Sequence, residues 1–184
     1  DPFSFAWVER KIPESRVLKV SFDIMAEQTG YGNLQIDFAD AEGIPCARVE
    51  FTDSIMRAKG GARYSQMGKY SPGEIYHIDV ELSVGNRNYT VYINGKKKTT
   101  RMFFAPVPGI ERIIFRTGSI NSIPTPDTPA DQYFDLENAG QEETPATYRI
   151  ARLRTSGDRT ANLLDFNDYR HYIDYFNRME DENI

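Results

Sequence analysis

The run from Tyr76 to Lys98, YHIDVELSVGNRNYTVYINGKKK, constrains the fold more than any other part of this chain. Apolar residues fall at every second position, in Tyr76, Ile78, Val80 and Leu82 and again in Tyr89, Val91 and Ile93. Successive side chains of an extended backbone point to opposite faces, so a period of two collects these residues on one face of a half-buried strand. Gly85-Asn86-Arg87-Asn88 supplies turn residues between the two runs, and Asn94-Gly95 supplies residues that tolerate positive φ where the second run ends. An antiparallel hairpin is predicted.

The same alternation recurs along the chain. Leu18, Val20, Phe22, Ile24 and Ala26 alternate with Lys19, Ser21, Asp23 and Met25, the longest clean strand pattern, which predicts a central strand. Phe3 to Val8 reads as an opening edge strand, and Arg10 to Arg16, which contains Pro13, as a charged turn. Leu34, Ile36 and Phe38 form one strand, and Ala47, Val49 and Phe51 another, with Arg48 and Glu50 on its other face. Two short strands are expected between Ser54 and Tyr70, and further strands at Met102–Phe104, Ile110–Thr117 and Tyr148–Leu153, the last pairing near the N-terminal strand. Turn residues at Thr29-Gly30-Tyr31-Gly32, Asp40-Ala41-Glu42-Gly43 and Ser71-Pro72-Gly73-Glu74 separate these runs. Many short strands with a turn at roughly every 8–12 residues argue for an all-β sandwich over residues 1–155.

Two stretches depart from this pattern. From Gly118 to Thr147, Pro124, Pro126, Pro129 and Pro145 and a set of acids replace the alternation, which reads as a long acidic surface loop. In residues 156–184, expected to be a linker and an amphipathic helix, Phe166, Tyr169, Ile173, Phe176 and Met179 recur at helical spacing, with Asp165 as N-cap. Such a stripe must be buried, either on the sandwich or in a following domain that it begins.

Charge and composition exclude several classes. A net charge of −5 repels phosphate backbones, and the basic run Lys96-Lys97-Lys98 reads as a solvated hairpin tip, so no nucleic-acid partner is expected. No apolar run approaches the roughly 20 residues of a membrane span. One cysteine, Cys46, excludes an internal disulfide and a multi-cysteine metal site, and it reads as a small buried residue. His77 and His171 are far apart with no second ligand set beside them, which argues against zinc. Serine-nucleophile signatures and phosphate-binding glycine loops are absent. The abrupt ends at Asp1-Pro2 and Asn183-Ile184 are those expected of a piece of a longer protein.

At the anchor hairpin, the aromatic Tyr76 leading into one strand and the Tyr89-to-Lys96 phrase of the next resemble the strand pair of concanavalin A-like, or laminin G-like, jelly rolls. The closing phrase Tyr175-Phe176-Asn177-Arg178-Met179-Glu180-Asp181-Glu182-Asn183-Ile184 is similar to the segment that leads into the helical-toroid catalytic domain of some secreted bacterial glycan-degrading enzymes. Those enzymes begin with a β-sandwich of this kind. The resemblance implies an all-β, concanavalin A-like antiparallel jelly roll with one C-terminal helix. It further implies a non-catalytic accessory module of a secreted or periplasmic bacterial enzyme, binding polysaccharide or oligosaccharide or packing on a catalytic domain that follows it.

Candidate site residues fall into three groups. Laminarinase-type jelly rolls carry a strand reading Glu-x-Asp-x-Glu; here His77, Asp79 and Glu81 stand in those positions. His77 replaces the expected nucleophile, which removes the two-carboxylate mechanism and leaves Asp79 and Glu81 as hydrogen-bonders for sugar hydroxyls. Tyr31, Tyr64 and Tyr70 lie in turns or irregular stretches where an aromatic face could meet a sugar ring, and Arg48, Arg57 and Arg63 could pair with uronate carboxylates. The acidic loop offers Asp127, Asp131 and Asp135 as oxygen ligands for a structural calcium, although no spacing there matches a defined calcium motif. The alternatives to a binding module are a self-contained jelly-roll glycosidase or lyase and a purely structural interaction domain.

Overall fold

The architecture turns on β1 (Trp7–Ala26), a strand long enough to serve two layers. The structure, a computed structural model, describes residues 6–118 and 144–159. After β1 come β2 (Asn33–Ala39), β3 (Pro45–Thr52), β4 (Ile55–Gly60), β5 (Arg63–Lys69), β6 (Ile75–Ser83), β7 (Asn88–Ile93), β8 (Lys96–Met102), β9 (Ile110–Thr117) and β10 (Tyr148–Arg159). All strand pairs are antiparallel, in the order β5-β4-β3-β2-β9-β1-β6-β7-β8, with β10 also on β1.

The two halves of β1 have different neighbours. Trp7 to Ser15 pair with β9, whereas Val17 to Met25 lie between β6 and β10. One layer is therefore β5-β4-β3-β2-β9 with the first half of β1, and the other is β10, the second half of β1, β6, β7 and β8. The crossing falls at Pro13, inside a register irregularity between Lys11 and Ser15. Proline has no N–H to give a ladder and is accommodated at such a break. The turn expected over Arg10–Arg16 is instead continuous strand, because both flanks are held by partners.

Alternating apolar residues from both layers meet in one core. Phe22 of β1 and Phe115 of β9 pack edge to face with ring centroids 5.6 Å apart, an arrangement that suits the ring quadrupoles. Tyr89 of β7 is fully buried and its hydroxyl crosses the sandwich, donating at 2.9 Å to the Arg48 carbonyl. The anchor hairpin forms as its pattern predicts. β6 pairs with β7 from Ile78↔Ile93 to Ser83↔Asn88, and Asn94 at φ 50° and Gly95 at φ 73° make the next turn.

Three other expectations are corrected or extended, and two lie outside the described residues. Lys96-Lys97-Lys98 opens the exposed edge strand β8 rather than only capping a turn, and charged residues on an edge discourage further pairing. The strand expected at Met102–Phe104 ends at Met102; Phe104 turns inward and donates its N–H to the Cys46 carbonyl at 2.9 Å. β10 continues to Arg159, past Leu153, the last residue of the expected strand. The helical stripe from Phe166 to Met179, and Phe3 at the start of the expected first strand, lie outside the described residues.

Candidate functional site

The sandwich has two outer faces, and the candidate residues divide between them. On the face of the β5-to-β9 layer, adjacent strands set up two rows. Ile114, Asp37, Arg48, Lys59 and Tyr64 form one row, and Arg116, Gln35, Glu50, Arg57 and Gln66 the other. Most of these are polar, yet every residue of β3 is buried. Burying charge is costly unless it is paired, and here it is paired. Arg48 Nε donates to Asp37 Oδ1 at 2.6 Å and Nη2 to Oδ2 at 2.9 Å, a bidentate fork between side chains 2% and 8% exposed. Burial pulls the Arg48 pKa down, but Asp37 more than offsets it and holds the guanidinium charged. The ring of Phe104 lies 5.8 Å from the Arg48 guanidinium carbon and 4.7 Å from Lys59 Nζ, covering this end of the face with an aromatic surface.

Toward the β5 edge the face opens to solvent. Glu50, itself buried, accepts a 2.9 Å hydrogen bond from Asn33 Nδ2 and another from Arg57 Nε. Arg57, held in this way, lies 4.1 Å from the centre of the exposed Tyr64 ring. Burial of its polar end raises the Tyr64 pKa, and the neighbouring Arg48 opposes that shift. Beside this stack, Asn33 Oδ1 and Gln35 Oε1 are buried acceptors with no hydrogen-bond partner among the described residues. Buried polar atoms are nearly always satisfied, so atoms of this kind mark a place where a ligand or water belongs. Amide carbonyls, a fixed guanidinium and an aromatic ring form a set that hydrogen-bonds sugar hydroxyls and packs on a sugar ring.

The opposite face, on β10, β1, β6 and β7, is open. Strands β6 and β7 alternate between buried and partly exposed residues. His77, Asp79 and Glu81 project here, as the strand period predicts. Lys19 Nζ donates to Glu81 Oε1 at 2.8 Å, and Tyr92 donates to Glu81 Oε2 at 3.2 Å. The Lys19 hydrogen bond holds the Glu81 carboxyl below the usual carboxylate range. His77 Nδ1 lies 2.7 Å from Asp23 Oδ1, and its Nε2 lies 3.3 Å from Asp79 Oδ1. Arg152 is also paired with Asp23.

The structure brings Arg57 and Tyr64 together with Arg48 behind them, and His77, Asp79 and Glu81 together on the other side. It corrects two placements. Arg48 is interior, its guanidinium committed to Asp37, so it does not present itself to a uronate. Tyr70 is also buried, with its ring 5.3 Å from Phe51. Tyr31 is exposed in the turn that leads to Asn33, and Arg63 is exposed at the start of β5. Asp127, Asp131 and Asp135 lie outside the described residues. Among the described residues no group of three or more His, Cys, Asp or Glu side chains could hold a metal ion. Asn33, Gln35 and Glu50 are the site residues that the sequence reading passed over. Their one signal was a polar residue at each outward position of a strand whose inward positions are strongly apolar.

Comparison with known proteins agrees with this chemistry. A family model described as "Sialidase-like, CBM domain" matches residues 1–132. A solved sialidase is 52% identical over 100% of this chain with a TM-score of 0.74, and the chain spans 17% of the length of that protein. Sheep galectin-11, in complex with glycerol, is similar at a TM-score of 0.50 and 12% identity, over 81% of this chain and 96% of its own. A family 7 alginate lyase is similar at a TM-score of 0.53 and 11% identity, over 83% of this chain and 66% of its own. At such low identity these two show a shared sandwich fold. No curated protein matches the sequence. On the match over residues 1–132, the chain belongs to the sialidase-like CBM family and is a non-catalytic carbohydrate-binding module.

Proposed function

We propose that this module holds polysaccharide or oligosaccharide on the β3–β4–β5 edge of the polar outer face, for a catalytic domain in the same secreted or periplasmic bacterial protein. The likeness to part of a sialidase supports a glycan-cleaving parent, with the module raising the local concentration of substrate at the catalytic domain. The observation that carries the choice of face is the Glu50–Arg57–Tyr64 stack beside the unpartnered acceptors of Asn33 and Gln35. Tyr64 supplies an aromatic surface, Arg57 fixed donors, and the two amides acceptors for hydroxyl groups. Because Glu50 neutralises Arg57, this face is suited to hydroxyls rather than to a charged group.

The test is a glycan array followed by calorimetry on the 184-residue chain and on Tyr64→Ala and Arg57→Ala. Binding to one glycan class that weakens roughly tenfold to a hundredfold in either variant is expected, in line with aromatic and arginine anchors elsewhere. Absence of binding across the array, together with tight association with the neighbouring domain of the parent, would replace this reading with a structural interaction domain.

A further inference from the structure

The open face carries a second constellation that the site above does not use. A groove of about 600 Å³ is lined by Lys19, Ser21, Glu81, Tyr92, Arg154 and Ser156, among others. It adjoins a second of about 490 Å³ that includes Asp23, His77 and Arg152, and the two share Ser21 and Arg154. Both lie within the size range of small-ligand sites.

The register explains how these side chains come together. Arg154 pairs with Ser21, Ser21 with Asp79 and Asp79 with Tyr92, so one row crosses β10, β1, β6 and β7. Three strand spacings make this row about 14 Å long. A register shift between Ser21 and Asp23 inserts an extra residue into β10, with Arg152 at φ 54°. A bulge of this kind re-aims side chains. Here it lets Leu153 pack toward the core while Arg152 reaches Asp23 and Arg154 lines the grooves.

Two cations of this face are left without an ion pair among the described residues: Arg154 at one end of the row and Lys97, opposite Tyr92, at the other. Lys19 is bound to Glu81, Arg152 and His77 to Asp23, and Asp79 faces His77. Arg154 is exposed and has no ion pair or side-chain hydrogen bond among the described residues. Of the two unpaired cations, only Arg154 lines both grooves, and its planar guanidinium selects a planar anion whose carboxylate matches its fork. We infer that the β10–β1–β6–β7 face is a second glycan site, specific for a carboxylated sugar whose acid group pairs with Arg154. Its ring lies along the row toward Tyr92, and its hydroxyls meet Ser21, Asp79 and Ser156.

This inference does not depend on the site at Tyr64, and the test separates the two. The 184-residue chain is titrated by backbone amide NMR with a uronate trisaccharide and, separately, with a sialylated trisaccharide, the two common sources of a sugar carboxylate. Each is compared with its carboxyl-reduced counterpart. For one of the two acids, shifts at Ser21, Asp79, Tyr92, Arg154 and Ser156 are expected, weakened roughly tenfold in Arg154→Ala and unchanged in Arg57→Ala. The reduced sugar should leave those amides in place. Shifts confined to β3–β5, equal binding of acid and reduced sugar at this face, an unaffected Arg154→Ala, or silence with both acids would each overturn it. Loss of array binding in Tyr64→Ala with these shifts intact would support both sites, and persistence of array binding there would sink only the first.

Discussion

The two outer faces of this sandwich are built from strands of the same kind, yet they handle charge in opposite ways. On the β2–β3–β4 side the acids and bases are interior: Asp37, Arg48, Glu50 and Lys59 are all less than one-tenth exposed and held in close geometry. On the β1–β6–β10 side, Lys19, Arg152 and Arg154 stand in solvent. The first face has rigid groups whose charges are spent on each other, so what remains for a ligand is hydrogen bonding and an aromatic edge. The second carries its cations in solvent: Lys19 and Arg152 are paired, with the buried Asp23 holding Arg152, while Arg154 and Lys97 have no ion pair among the described residues, so what remains is charge. A single fold can thereby present one surface whose charges are paired and one with unpaired cations.

The largest effect that separates the faces should come from the buried pair. Arg48→Ala leaves Asp37 ionised and unpaired in the interior and should cost about 3–5 kcal/mol in urea unfolding, whereas Arg48→Met combined with Asp37→Leu should recover most of it. A loss below about 1 kcal/mol in the single variant would mean that this face is wetter than its geometry implies. A smaller effect is expected at Asp23 on the open face. Its pKa is lowered first by the His77 hydrogen bond and then by Arg152, so its contribution is present above the unfolded carboxylate value of about 4 and is lost as pH falls through the lower folded value. Thermal melts from pH 7 to pH 2 should therefore fall less steeply at the acid end in Asp23→Asn than in the unaltered chain. The smallest effect is expected at Lys19→Met: its exposed bridge to Glu81 should leave the unfolding midpoint where it was, and a clear drop would break the contrast between the faces.

Much of the fold was legible before any coordinates. The alternation in Leu18–Ala26 and in Tyr76–Ile93 specified inward and outward faces, and Asn94-Gly95 specified its turn, because strand period and turn dihedrals are local properties. Pro13 misled for a related reason: its local signal is a break, and only the partners on either side of Lys11–Ser15 turn that break into a crossing between layers. The candidate sites were legible in part. His77, Asp79 and Glu81 share a face because they are two apart in one strand. Arg57 and Tyr64 meet across a hairpin whose register, shifted between Met56 and Arg57, no residue pattern announces. Tyr70 was read as a surface aromatic, but its ring packs beside Phe51, a contact made across the fold.

By itself, then, the sequence determined that the described residues are all-β and which residues of most strands face the core. Tertiary structure alone decided which outward-facing residues are solvent-exposed. Arg48 and Lys19 occupy equivalent polar positions in alternating strands, yet one is interior and the other exposed. Period-two alternation records only that a side chain points away from the core; whether water, a paired charge or a ligand meets it there depends on neighbouring strands brought together from distant parts of the chain.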